Sequence, residues 1–335
     1  MAETRQQTAK DDLENQIDAQ VAHRLPDIGR LVSLPHTMYT LLSLLMNEQT
    51  QPKDLERVLE QDPALAAKVI SLSNSAFYGL TTPVSTIDRA ILIIGFKELE
   101  FMAVGLGLSE TFDLSQVPRG FDGEGLWLHS LSVSWIAREL AVITKACEPS
   151  EAMITGLLHE LGVIILVSKF PQQFNELMEL TDAGVPFLEA ESSLGLKHTV
   201  IGYLLARNWN LPVVFQEGIL FHHNPKSCPG RKEITALVNL SDSLAHKAGY
   251  PMKLEDPEVD LAYVMDVLKL TPPKLQNFIK VLMTSLPQVQ PVWLQMMRSG
   301  TRKPTGEQKG RFSSLMDSAS DRSAEGRRPG KTAPR

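Results

Sequence analysis

Helix starts and stops punctuate this chain from residue 35 to residue 298, and runs of alternating β-branched residues are scarce. That pattern restricts the chain to packed helices. In Gln61-Asp62-Pro63-Ala64, Asp62 stands where a cap is needed and Pro63 at the first helical position, where a missing N–H costs nothing. Behind it Leu65, Val69 and Leu72 recur at helical spacing. Ser85-Thr86-Ile87-Asp88 has the form of a capping box and opens a helix that Gly95 closes. Further helices are predicted over 131–145, 151–159, 172–183, 199–209, 213–221 and 233–248, then 258–270 and 273–286. The connectors are short and built from Pro, Gly, Asn and Asp. The fold class expected is all-α. Residues 34–110 and 125–249 should form two packed helical lobes of one unit, because the segment between them, 112–124, is short.

Composition sets the boundaries. Beyond Ser299 the chain turns to Gly, Ser, Pro and charge, with Phe312, Leu315 and Met316 as its large apolar residues. Such a segment buries too little to offset its ordering entropy, so 299–335 is expected to be a disordered, dispensable basic tail. It carries nine Lys/Arg against four Asp/Glu, a net +5, which leaves −11 on the rest of a chain whose total is −6. An acidic body repels nucleic acid, so contact with one is expected only through the tail. Residues 1–24 form an N-terminal arm, partly helical because Leu13, Ile17 and Val21 share one face. Residues 25–250 form the main domain and 251–298 a C-terminal helical extension. Two cysteines, Cys147 and Cys228, argue against a disulfide framework. The polar N-terminus lacks the apolar run of a signal peptide, and no stretch reaches the roughly 18 apolar residues of a membrane span. The expected location is cytoplasmic, with no membrane contact.

Two blocks of short motifs carry a family resemblance. The first is Leu34-Pro35, Gln61 through Lys68, Ser73-Asn74-Ser75-Ala76-Phe77-Tyr78-Gly79, and Ala90-Ile91 through Gly95-Phe96. The second is Trp127-Leu128-His129-Ser130, Leu158-His159-Glu160-Leu161-Gly162, Glu191 through His198, Trp209-Asn210-Leu211-Pro212, His222-His223 and Asp242. In joint occurrence and order, from about Leu25 to Gly249, these resemble the HDOD family, the HD-related output domains. The resemblance implies a helical domain with an HD-like core and a regulatory role in bacterial signalling.

It also implies a site. His129 matches the first metal ligand of HD-type phosphohydrolases, His159 the histidine of the His-Asp doublet, and Asp242 the closing aspartate. His198, His222 and His223 match the additional histidines of the two-metal branch. With Glu160 these are the candidate ligands, His129, His159, Glu160 and Asp242 for one ion and His198, His222 and His223 for a second. Imidazole nitrogen with carboxylate oxygen suits a divalent metal, Fe, Mn or Zn, and such an ion makes a nucleophile of bound water at neutral pH. The bland alternative, that these are satisfied core histidines, stays open. The departure is Glu160, where the family of enzymes has Asp. Its arm is longer by about one C–C bond, and a misplacement of about 1 Å can cost on the order of a hundredfold in rate, whereas metal binding tolerates it better. After His222-His223 the chain reads Asn224-Pro225-Lys226, without the acidic residue and Gly-Tyr-Pro of cyclic-di-GMP hydrolases.

His23, His36 and His246 fall outside the pattern. His246 lies four residues after Asp242 on one predicted helix, the spacing of a hydrogen-bonded pair. Asn74 and the serines beside it read as helix-end residues that satisfy backbone groups. The function expected is a non-catalytic signalling module that binds a protein partner or a small ligand, phosphorylated ligands included. The alternative is a metal-dependent phosphohydrolase acting on a nucleotide or other phosphoester.

Overall fold

The computed structural model describes residues 24–25, 34–45, 47, 49–74, 80–112, 114, 117–118, 121–252, 254 and 258–298; of residues 72, 98, 110 and 288–298 only the backbone is described. His23, residues 75–79, residues 299–335 and all of residues 1–24 but Arg24 lie outside the described residues. Those described form helices and no strand. The fold is all-α.

Helices α1 (His36–Leu45), α2 (Pro52–Glu60), α3 (Pro63–Ser73), α4 (Ile87–Ile94) and α5 (Phe96–Thr111) make the first lobe. The starts follow local chemistry. The Asp62 carboxylate accepts the Leu65 N–H at 3.1 Å, one turn into α3. Thr86, one residue later than the capping pattern suggests, is the N-cap of α4, and Gly95 closes it at φ 92°, a left-handed angle that suits glycine. Asn74 bridges the end of α3 to the strand-like approach to α4. Its Nδ2 donates to the Val84 carbonyl at 2.7 Å and its Oδ1 accepts the Val84 N–H at 2.6 Å. Asn74 thus satisfies backbone groups at the helix end, as its position suggests. Asn74→Ala should cost roughly 1–2 kcal/mol by leaving both Val84 groups unpaired, and urea denaturation would measure it.

The second lobe is larger. It contains α6 (Gly123–Thr144), α7 (Pro149–Leu158), α8 (Leu161–Lys169), α9 (Pro171–Asp182), α10 (Phe187–Leu194), α11 (His198–Asn208), α12 (Val213–Phe221) and α13 (Lys232–Lys247), followed by α14 (Leu261–Val267) and α15 (Pro272–Arg298). The lobes are packed, not merely joined. Leu41, Leu59 and Val104 belong to the same buried cluster as Trp127, Leu166 and Phe215. Phe112, at the end of the first lobe, stacks on Trp209 of the second with ring centroids 5.9 Å apart. Each such buried side chain contributes roughly 1.5–3 kcal/mol. A second cluster, with Val133, Leu140, Leu237, Val264 and Phe278, ties α6 and α13 to α14 and α15.

Several elements differ from the sequence expectation. Helix α6 starts eight residues before position 131, because Asp122 caps it by accepting the Gly125 N–H at 2.8 Å. Helices α1, α2, α8 and α10 were not expected. The helix predicted over 258–270 is confined to Leu261–Val267, and α15 runs past its expected stop at Leu286, through Pro287 and Pro291, to Arg298. One segment bears on the membrane expectation. Pro149–Lys169 is 21 residues long and apolar enough to span by length and composition, yet 89% of its most apolar window is buried inside the protein. Its apolarity serves the core. The chain also turns at His159-Glu160, between α7 and α8, so the segment is two helices.

Candidate metal centre

Close backbone crossings bring the histidines together. The Cβ of an alanine at Gly156 of α7 would lie 2.8 Å from Ser134 Cα of α6, and the Ser134 hydroxyl donates to the Met153 carbonyl at 2.6 Å. That crossing sets His129, in α6, beside His159, just past the end of α7. A Cβ at Gly162 of α8 would lie 1.9 Å from the His198 carbonyl oxygen. Only glycine fits there, and the contact sets Glu160 beside His198, the first residue of α11. A Cβ at Gly218 would lie 2.1 Å from Thr155 Cγ2, so α12 rides equally close to α7 and delivers His222 and His223 at its end.

Seven side chains meet as a result, in two sets. His129, His159 and Asp242 form one; Glu160, His198, His222 and His223 form the other. Glu160 therefore groups with the second set and not with the first, to which its sequence position assigned it. Its carboxylate still faces both: Oε1 is 3.5 Å from His159 Nε2 and 3.9 Å from His222 Nε2, and Oε2 is 3.8 Å from His198 Nε2. Six of the seven are completely buried, and His223 is half-buried.

The outer nitrogens fix the tautomers. His129 Nδ1 donates to the Tyr250 carbonyl at 2.9 Å, His159 Nδ1 to that of Gly156 at 2.7 Å, and His222 Nδ1 to that of Ile219 at 2.8 Å. His198 Nδ1 is held by the Glu191 carboxylate at 2.8 and 2.9 Å, and Glu191 also accepts the His198 N–H at 2.9 Å. With Nδ1 spent on an acceptor, each neutral ring turns an Nε2 lone pair inward.

Inside, acceptor faces acceptor. His129 Nε2 is 3.2 Å from His159 Nε2 and 3.2 Å from Asp242 Oδ1; His198 Nε2 is 3.4 Å from His222 Nε2 and 3.1 Å from His223 Nε2. Nitrogens and carboxylate oxygens so arranged could hold a cation between them. Around an ion with bonds of about 2.1 Å, ligand atoms stand roughly 3.0–3.4 Å apart, so the spacing fits a transition metal. The protonation states agree. Burial pushes His159 down to about 3 and, with its histidine neighbours, pushes His222 well below the ordinary value, so both stay neutral. Burial also acts on Asp242, raising it, but contact with His129 prevails and holds the carboxyl at about 2. For His129 burial lowers the pKa, and the Asp242 contact outweighs it and raises it. Contact with Asp242 thus favours positive charge at His129 Nε2, where a metal would also sit.

Two outer residues flank the ligand sets. Glu191 fixes His198 in the manner of a carboxylate behind a metal-bound histidine. His246 Nε2 lies 3.4 Å from Asp242 Oδ1, the pairing its spacing suggested. His36 is exposed at the start of α1, away from the centre.

Known proteins share this arrangement of helices. A structure from Marinobacter aquaeolei, named for a signal-transduction role, superposes with a TM-score of 0.68 at 25% identity, covering 79% of this chain and 59% of that one. An HDOD domain protein of unknown function from Geobacter sulfurreducens superposes with a TM-score of 0.69 at 22% identity, covering 85% of this chain and 99% of its own. An uncharacterized protein of Treponema pallidum is 27% identical over 214 residues, 63% of this chain. The match takes in 40% of that relative's length, so the chain corresponds to less than half of it. The sequence profile of the HDOD domain matches residues 31–225, more than half of the 335 residues. The chain belongs to the HDOD family.

Proposed function

We propose that this chain is a signalling-associated HDOD module that holds divalent metal in its buried histidine–carboxylate centre, and that ion occupancy, not turnover, is what the module uses. One observation carries the reading: inward Nε2 lone pairs and two buried carboxylates converge while the Nδ1 atoms of four of the five histidines are tied off behind them. His129, His159 and Asp242 would hold one ion. His198, His222, His223 and Glu160 would hold another. The signalling assignment is supported by the family and by the name of the Marinobacter neighbour. The output would pass to a protein partner in the cytoplasm through the helical surface.

The phosphohydrolase reading is kept as the second because a cavity reaches the centre at His223 and His246. A bound divalent ion supplies Lewis acidity and a water activated at neutral pH. Against turnover stands Glu160, whose longer arm is suited to holding an ion between the two sets more than to reproducing the aspartate position of the enzymes.

Elemental analysis of protein purified without added metal tests the first reading. About one to two ions of Fe, Mn or Zn per chain are expected, and His159→Ala should lose most of them. Protein that carries no such ion, and takes up none when offered, would overturn it. Hydrolysis of bis(4-nitrophenyl) phosphate above background, abolished by His159→Ala, would put the enzyme in place of the module.

A further inference from the structure

We propose that the cavity beside the centre binds a small molecule with an oxyanion head and a flat apolar body, and that it does so when the centre holds metal. The inference rests on the metal reading above. The cavity has a volume of about 860 Å³, within the span of small-molecule sites. Its lining divides by chemistry. Phe187 and Leu188, at the start of α10, and Met252 and Leu254, after α13, supply apolar surface. His223 and His246 supply imidazoles.

Those two imidazoles connect the cavity to both halves of the centre. His223 Nε2 is 3.1 Å from His198 Nε2 in one set, and His246 Nε2 is 3.4 Å from Asp242 Oδ1 in the other. A molecule in the cavity therefore borders both ligand sets through these two rings. A tetrahedral oxyanion would suit that placement, because bound divalent ions would supply the positive charge that attracts it. Lys247 and Glu258, both exposed, also line the cavity and carry opposite charges. The sign of the field is thus left to the centre. Without metal, the Glu160, Asp242 and Glu191 carboxylates behind the imidazoles repel an anion. Two divalent ions would more than neutralise them and make the cavity attract one. The apolar walls then favour an aryl body over a bare ion, since burying a ring adds affinity that inorganic phosphate lacks. The ligand class is an aromatic phosphomonoester, and its binding reports the metal state of the protein.

Calorimetric titration of the full chain with phenyl phosphate tests this, with bound metal counted in every sample. Metal-loaded protein is expected to bind phenyl phosphate at least about tenfold more tightly than inorganic phosphate, and at least about tenfold more tightly than chelated protein does. Leu188→Trp should fill part of the cavity and weaken phenyl phosphate by about tenfold with metal content unchanged, since Leu188 is not among the ligands. Lys247→Ala should weaken it by about threefold. Loaded protein that shows no preference for phenyl phosphate, or an affinity that Leu188→Trp leaves alone, overturns the cavity proposal while the metal reading stands. A chain that takes up no metal defeats both, and the metal count tells the two failures apart.

Discussion

Gly162→Ala is expected to destabilise the protein by about 3 kcal/mol or more and to lower its melting temperature by roughly 5–10 °C. The added Cβ would stand 1.9 Å from the His198 carbonyl oxygen, 2.6 Å from its carbon and 2.8 Å from its Cα. Those are backbone atoms. A flexible side chain can swing aside, but a helix must move as a unit, so α11 would have to shift away from α8. The shift carries His198 away from Glu160, now 3.8 Å apart. Metal affinity should therefore fall in whatever fraction stays folded, although Gly162 is not itself a ligand. Gly202→Ala, on the facing helix, is the comparison. Its Cβ would meet Ile219 Cγ2 at 2.7 Å and the Gly162 nitrogen at 3.1 Å. The first of these is a side-chain methyl that can yield, so the loss should be about half as large. Thermal melts of both variants check the order, and equal stability of Gly162→Ala and wild type would show that α8 and α11 are not held in contact.

The same glycine marks where a single sequence stops being informative. Helix α12 was predicted with the bounds it has, 213–221, and α3 with the right start, because Pro212 and the Asp62-Pro63 pair are local signals. Helix α8 gave no such signal. Leu161 through Val167 are all buried, so the segment has no polar face and no 3.6-residue period to detect. Helix α15 carries Pro287 and Pro291, which locally read as a stop. At the centre, the order of His129, His159, His198, His222, His223 and Asp242 was legible through the family resemblance, and the structure brings all six together with Glu160. What stayed hidden were tertiary partners. Glu191 stood in the resemblance block without a role of its own, and the structure puts its carboxylate on both nitrogens of His198 that it can reach, the ring Nδ1 and the backbone N–H. Nothing in the sequence distance between Gly162 and His198 announces that they touch.

Metal-free protein should lose stability steeply on acidification, beginning near pH 6.5. His159 titrates at about 3 in the fold, against an ordinary value of 6.5 in the unfolded chain. Between those values the unfolded chain holds a proton that the folded chain refuses, so falling pH favours unfolding. His222, also lowered, acts in the same direction. Each such group removes about 1.4 kcal/mol per pH unit, so the two together remove roughly 3 kcal/mol per unit below their unfolded pKa. Asp242 adds a later loss. Its contribution is intact above its ordinary 3.8 and disappears as pH falls through about 2. His129 does not offset any of this. Its pKa is raised, so its contribution is complete below 6.5 and is lost only as pH rises through the raised value, on the alkaline side. A domain stable by about 5–15 kcal/mol would be exhausted within a few pH units. Urea denaturation of chelated protein at about pH 7.5, about pH 6 and about pH 5 measures the slope directly. His159→Gln removes one of the two refusing groups and should halve the slope between about pH 6 and about pH 5, even if it lowers stability at neutral pH. A slope that His159→Gln leaves unchanged would mean that the ring takes up its proton inside the fold, and that the lone pairs drawn together here are not held neutral for a metal.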